Sequence, residues 1–291
     1  MFKENLLASK KILVTGGGTG LGRVMAEQYV RLGAEVAICG RRLSVLKATC
    51  AQIRDATGGT IKPYQVDIKD YEAVDRMIEQ VWADGPLTGL VNNAAGNFIS
   101  RTEDLSPRGF NAIADIVLHG TFHVTNAVGK RWIRAGLRGN VISIVVTWVF
   151  NGGPFTVPSA MAKSGIAAMT KSLAVEWGPK GIRLNAIAPG PFPTKGAWER
   201  LMPDGVQLVD RAEQVPLRRL GRHPELANLA VFLMSDEVEY LTGQIIAIDG
   251  GQSLNNTGTF NSLQSLSDAD WLSVREKIKA ANTADKSERA E

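Results

Sequence analysis

The chain predicts a single α/β domain, a Rossmann-type doubly wound parallel sheet of about seven strands with helices on both faces. Two observations carry this. Short β-branched apolar runs alternate with longer amphipathic ones along the chain, and near-continuous apolar runs suit parallel strands covered on both sides. A glycine-rich turn also stands directly after the first apolar run and before the first helical one. Of the 291 residues, 44% are hydrophobic, ample for one large core. The 21% that are charged set it apart from disordered chains. No internal repeat or Gly/Ser linker interrupts the pattern, so residues 1–291 read as one domain.

The elements follow in order. Lys11–Thr15 reads as the first strand and Leu21–Leu32 as its helix. Strand Glu35–Gly40 precedes helix Leu43–Thr57, and strand Thr60–Val66 precedes helix Tyr71–Ala83. Strand Leu87–Val91 leads to one long helix, Pro107–Ala135. Strand Asn140–Val146 leads to helix Pro158–Gly178. Strand Ile182–Ala188, helix Pro224–Ser235 and strand Gln244–Ile248 complete the set. Each strand–helix–strand unit implies a right-handed crossover. Residues 189–214 break the alternation. They are rich in Pro and Gly and follow the sixth strand at its carboxyl end, where ligands bind in such sheets. They read as a substrate-binding loop and helix. Residues 252–291 read as a C-terminal extension: a polar stretch, a helix cap at Ser267 to Asp270, a helix over Trp271–Ala281 and a frayed tail from Thr283.

The net charge of +4 is spread, with Lys and Arg interleaved among acids. Without a dense basic tract, nucleic acid is a poor partner. A mildly basic surface suits an anionic small molecule. No apolar stretch is long enough to span a membrane, and the first strand starts almost at once, so no membrane insertion and a cytoplasmic location are expected. Cys39 and Cys50 read as free thiols, and no metal is expected. His119 and His123 share a helix face without a further evident ligand.

Gly16, Gly17, Gly18, Thr19, Gly20 and Leu21 link a strand to a helix. Glycines there let the backbone approach a pyrophosphate, and the helix N-terminus offers N–H groups and a positive dipole to it. The second strand ends in Arg41 and Arg42, where NAD-binding folds place an acid. Two guanidiniums suit the 2′-phosphate of NADPH.

With Asn92-Asn93-Ala94-Ala95-Gly96, the Pro189-Gly190-Pro191 turn and Asp249-Gly250-Gly251, this loop resembles the short-chain dehydrogenase/reductase family over nearly the whole chain. The resemblance implies that Asp67 lies by the adenine, that Asn93 and Gly96 line the nicotinamide ribose side, and that Pro189, Gly190, Pro191 and Phe192 line the nicotinamide. Most members reduce carbonyls with Asn, Ser, Tyr and Lys. In this chain Ser159 stands where Tyr should, four residues before Lys163; Val146 replaces the Ser and His119 the Asn. Only Lys163 keeps its identity. An aliphatic hydroxyl is a far weaker acid than a phenol, so ordinary ketone reduction is disfavoured. Conjugate reduction asks instead for donors at a distant thioester oxygen, while water protonates carbon.

The segments Asn92 to Ser100, Asp115-Ile116-Val117-Leu118, Val157-Pro158-Ser159-Ala160 and Glu176-Trp177-Gly178 resemble the 2,4-dienoyl-CoA reductases of mitochondrial type. That resemblance implies reduction of a 2,4-dienoyl-CoA to a 3-enoyl-CoA with NADPH, in the breakdown of unsaturated fatty acids, by a homotetramer. Asn97 would donate to the thioester oxygen and Lys163 would hold the nicotinamide ribose, with Ser159 close by. Phe98, Ser106, Lys69 and Arg200 would touch the acyl-CoA. The subfamily's second oxygen donor, a Tyr, falls on Trp148. Its indole N–H either donates or only packs. His119 either supports Lys163 or is structural. A reductase of a different enoyl thioester and a non-catalytic NADPH-binding protein are the competing readings.

Overall fold

The computed structural model describes residues 1–194, 212–255, 263 and 265–288. Its sheet has seven parallel strands in the order β3-β2-β1-β4-β5-β6-β7. These are β1 Lys11–Thr15, β2 Glu35–Gly40, β3 Ile61–Gln65, β4 Gly89–Asn92, β5 Gly139–Ile144, β6 Ile182–Pro189 and β7 Ile245–Ile248. The order reverses between β1 and β4, and the crevice that opens there at the carboxyl ends is where a doubly wound sheet takes its ligand.

The strands show why an all-apolar run is needed. Along β1, Ile12 and Val14 join one buried cluster while Leu13 joins the other. Successive side chains point to opposite faces, and both faces are covered. Helices α1 (Gly20–Arg31), α2 (Leu43–Thr57) and α8 (His223–Met234) contribute to the first cluster. Helices α3 (Tyr71–Ala83), α5 (Gly120–Ala135) and α7 (Val157–Trp177) contribute to the second. A third, smaller cluster joins α4 (Pro107–Ala114) and α7 around Ile113, Val117, Val145, Ala162 and Ile166, with Phe98 packed on it. It forms a floor beneath the loop that follows β4.

Most predicted elements stand within one or two residues of their predicted bounds. The long helix does not run unbroken. A π-helical segment, Asp115–His119, separates α4 from α5, and such insertions are frequent at functional sites. The C-terminal helix spans Asp268–Glu288, passing through Thr283 where fraying is expected. Its cap is reciprocal: Asp270 N–H donates to Ser267 Oγ at 3.2 Å and Ser267 N–H donates to Asp270 Oδ2 at 2.9 Å. The chain divides into two compact units, Met1–Ser253 and Leu254–Glu291.

Candidate active site

At the end of β1 the chain must turn within four residues into α1. Gly16 (φ +64°) and Gly20 (φ +54°) take up left-handed backbone there. Crowding fixes two other glycines. A Cβ on Gly17 would stand 2.5 Å from Ile38 Cγ2, and one on Gly22 would stand 2.5 Å from the Gly16 carbonyl oxygen. Asn93 closes the turn from across the switch point, its amide nitrogen donating to Thr15 O at 3.0 Å and Gly16 O at 3.2 Å. Thr15, buried, braces the other side: its Oγ1 accepts from the N–H groups of Asn93 and Ala94, both at 3.0 Å. Thr49 Oγ1 donates to Gly18 O at 2.8 Å, tying α2 to the loop.

This cradle fits a dinucleotide. No acid lies in the first turn of α1, and the Thr19 side chain makes no capping bond. Its N–H groups are therefore left to an anionic ligand. Arg41 and Arg42 are exposed at the end of β2 and have no acidic partner among the described residues. Asp67 lies beyond β3; it accepts from Lys69 N at 3.2 Å and lies 3.6 Å from Lys69 Nζ.

The opposite wall is built by β5 and α7. Ser159 and Lys163, one helical turn apart, are both buried. The Lys163 ammonium donates to the Ile144 carbonyl at the end of β5. Burial lowers its pKa to about 8. The Ser159 hydroxyl has no hydrogen-bond partner among the described residues.

Asn97 is half-buried in the loop after β4. Its Oδ1 accepts from Phe98 N–H at 2.9 Å, so the amide NH2 is left to donate elsewhere. Trp148 opens a short helix, α6 (Trp148–Asn151), and is half-buried. A Cβ on Gly153 would lie 2.8 Å from its indole carbons, so glycine is what lets the ring pack there. The Trp148 N–H has no partner among the described residues.

The other expected site residues have the following local contacts. His119 is 58% exposed and pairs with Asp115 at 3.1 Å, one turn back in the π segment. No described contact joins it to Lys163. Ser106 caps α4, accepting from Gly109 N–H at 3.1 Å. Phe192 is in the core, packed so closely on Gly221 that a Cβ there would lie 2.5 Å from its ring. Pro189 ends β6 beside Ile248 of β7, and Gly190 N–H, just beyond it, donates to Ile248 O at 3.0 Å. Pro191 O accepts from Gly221 N–H at 3.1 Å. Gly96 lies over Ile113 and Ile116. Arg200 is outside the described residues. Cys39 and Cys50 are buried, their thiols pushed up to about 12 and about 11 chiefly by burial. Among the described residues no metal-binding group occurs, and no helix is long and apolar enough to cross a membrane.

Three features escape sequence reasoning. The Thr15 hydroxyl and the Ile144 carbonyl hold the cradle and the ammonium, and Ser100 N–H donates to Phe155 O at 2.9 Å, joining the loops that carry Asn97 and lead to Ser159. Only Thr15 leaves a trace in the sequence, as the hydroxyl residue just before the glycines.

A family model described as enoyl-(acyl carrier protein) reductase matches residues 16–253. A Caenorhabditis elegans protein named probable 2,4-dienoyl-CoA reductase 3, (3E)-enoyl-CoA-producing, is 44% identical over 266 residues, covering 89% of this chain and 85% of that one. A Bacillus subtilis protein named probable 2,4-dienoyl-CoA reductase, (2E)-enoyl-CoA-producing, is 41% identical over 251 residues, covering 86% and 98%. The crystal structure of a short chain dehydrogenase from Bacillus anthracis superposes with a TM-score of 0.76 at 42% identity, covering 84% and 97%.

Proposed function

The chain belongs to the short-chain dehydrogenase/reductase family, and from that membership and its site we propose that it reduces a 2,4-dienoyl-CoA with NADPH. It is an oxidoreductase and takes a nicotinamide cofactor. The observation that carries the substrate class is the exchange at the acid position. Ser159 stands there, while Asn97 keeps an unengaged amide donor and Lys163 keeps its buried ammonium.

Each residue then has work to do. The glycine loop and the N-terminus of α1 hold the diphosphate. Arg41 and Arg42 neutralise the 2′-phosphate, which makes NADPH the preferred form. Asp67 lies by the adenine, and Asn93 with Gly96 and the 189–192 turn shape the nicotinamide end. Lys163 holds the ribose, with its direction fixed by the Ile144 carbonyl. When bound, NADPH supplies the hydride. Asn97 stabilises the negative charge that gathers on the thioester oxygen, and the Trp148 N–H is proposed as its partner donor. Water protonates carbon. No strong acid is needed at position 159.

Lys69, Phe98, Ser106 and Arg200 are proposed to contact the acyl-CoA, with residues 189–214 as its loop. The exposed ring of His119, 3.1 Å from Asp115, favours the structural role over support of Lys163. The exposed Phe122, Met161 and Val175 on α5 and α7 support the homotetramer reading. Two buried, unpaired thiols suit the reducing cytoplasm.

The test is NADPH oxidation with 2,4-dienoyl-CoA, 2-enoyl-CoA and 3-ketoacyl-CoA in parallel, followed by location of the remaining double bond. The dienoyl substrate should be fastest and give the 3-enoyl product. A faster 2-enoyl-CoA indicates a different enoyl thioester; a faster 3-ketoacyl-CoA rejects conjugate reduction. NADPH binding without turnover of any substrate favours the non-catalytic reading.

A further inference from the structure

Phe155 is one of three described non-glycine residues at positive φ, at +60°. Such backbone is uncommon for a bulky side chain and persists where the surroundings impose it. The imposing contact is the Ser100 N–H to Phe155 O bond at 2.9 Å. It fixes the loop between α6 and α7 against the loop after β4. The loop is fixed from its other end too, since Thr156 Oγ1 donates to Gly153 O at 3.1 Å and Gly153 lies under Trp148. Yet the ring so placed is not used for packing: Phe155 is 59% exposed. Ile99, next to Ser100, is 44% exposed, and Phe150, on α6, is 52% exposed. Strained backbone that holds a large apolar side chain in water gains nothing for the fold. Three exposed apolar side chains lie on the two segments that carry Asn97, Trp148 and Ser159. Large apolar side chains left exposed on joined segments beside a site suit an apolar ligand.

We propose that Phe155, with Ile99 and Phe150, forms an apolar lip that takes the part of the acyl chain beyond the conjugated carbons. Phe155 is then a residue that sets chain-length preference. This rests on the acyl-thioester reading of the site. The occupant is an alkyl chain because these three side chains are hydrocarbon, and because the Ser100–Phe155 bond sets Phe155 against the loop that carries the Asn97 donor. A short dienoyl thioester ends before the lip, whereas a longer one covers it.

The test compares wild type, Phe155→Ala and Phe155→Leu with hexadienoyl-CoA and decadienoyl-CoA at saturating NADPH. Phe155→Ala removes the ring but keeps a Cβ and hence the backbone constraint. The ratio of kcat/KM for the longer over the shorter substrate should fall about tenfold, mainly through KM. Phe155→Leu should restore most of it. Thermal unfolding of both variants shows whether the loops stay in place. A ratio unchanged in Phe155→Ala, or a loss equal for both substrates, overturns the lip and leaves the dienoyl reading intact. Wild type that turns over neither thioester overturns both.

Discussion

Replacing Asn97 with Asp changes one end of a side chain and spares the other. Asn97 Oδ1 accepts from Phe98 N–H at 2.9 Å, and a carboxylate oxygen accepts that bond at least as well. The lost group is the NH2, the donor assigned to the thioester oxygen. Loss of one such donor costs roughly 10²–10³ in turnover, about 2.7–4 kcal/mol. The new carboxylate also repels the charge that forms, so the expected fall lies at or beyond the upper end. Asn97→Ala removes both ends and leaves a half-buried N–H without a partner, costing about 1–3 kcal/mol of stability. For a domain of this size each kcal/mol moves Tm by roughly 2–4 °C. Asp should therefore match wild type in Tm and in NADPH Kd while kcat collapses. Ala should lose kcat and several degrees together. The measurements are steady-state turnover of a dienoyl-CoA, fluorescence titration of NADPH and circular-dichroism melting. Asn97→Asp turning over at the wild-type rate refutes the donor assignment.

Three further outcomes are expected. The double variant Arg41→Ala, Arg42→Ala should weaken NADPH at least tenfold, since charge-assisted bonds contribute roughly 1.5–3 kcal/mol each, and leave NADH nearly unchanged; equal losses for both cofactors would point to a loop defect instead. Trp148→Phe should slow turnover strongly and Trp148→Tyr should be tolerated if the indole N–H is a donor, whereas equal rates for Trp and Phe make the ring a pocket wall. Burial holds the Lys163 pKa at about 8, below the ordinary 10.5. Below pH 8 both folded and unfolded chains carry the proton and the folded state bears the full cost of the buried charge; as pH rises from 8 to 10.5 that cost is relieved. Urea unfolding of wild type should thus gain on the order of 3 kcal/mol over Lys163→Met across that window, and parallel profiles for the two would show that the ammonium is not buried.

The fold was legible because the central strands are apolar on both faces, as at Leu13 and Val14, and the glycine turn with Gly16 and Gly20 stands between the first strand and helix. The π segment at Asp115–His119 was not, because one extra residue in a helix leaves the apolar spacing on each side intact. That insertion sets where His119 points, so its exposed pairing with Asp115 was equally hidden. The glycine turn was readable from residue types, since positive φ at Gly16 and Gly20 and the close approach at Gly17 and Gly22 call for glycine. The acceptor of the Lys163 ammonium was not, being a main-chain carbonyl. Ser106 and Phe192 carry structural work that their residue types did not announce, a cap on α4 and a place in the core, beside the roles proposed for them.

The bonds from Asn93 to Thr15 and Gly16 cross 78 and 77 residues of chain. The central sheet order places β4 beside β1, so the strand that completes the glycine turn is made only after the whole motif has been. A nascent chain that has emerged only through Arg42 carries every glycine of the motif and both guanidiniums. It has neither the amide nor the neighbouring strand that gives the turn its shape. Cofactor affinity therefore belongs to the assembled sheet and not to the stretch of sequence that announces it. Because the nucleotide engages only the assembled turn, it shifts the final equilibrium toward the fold and offers no help to a chain that stops short of β4.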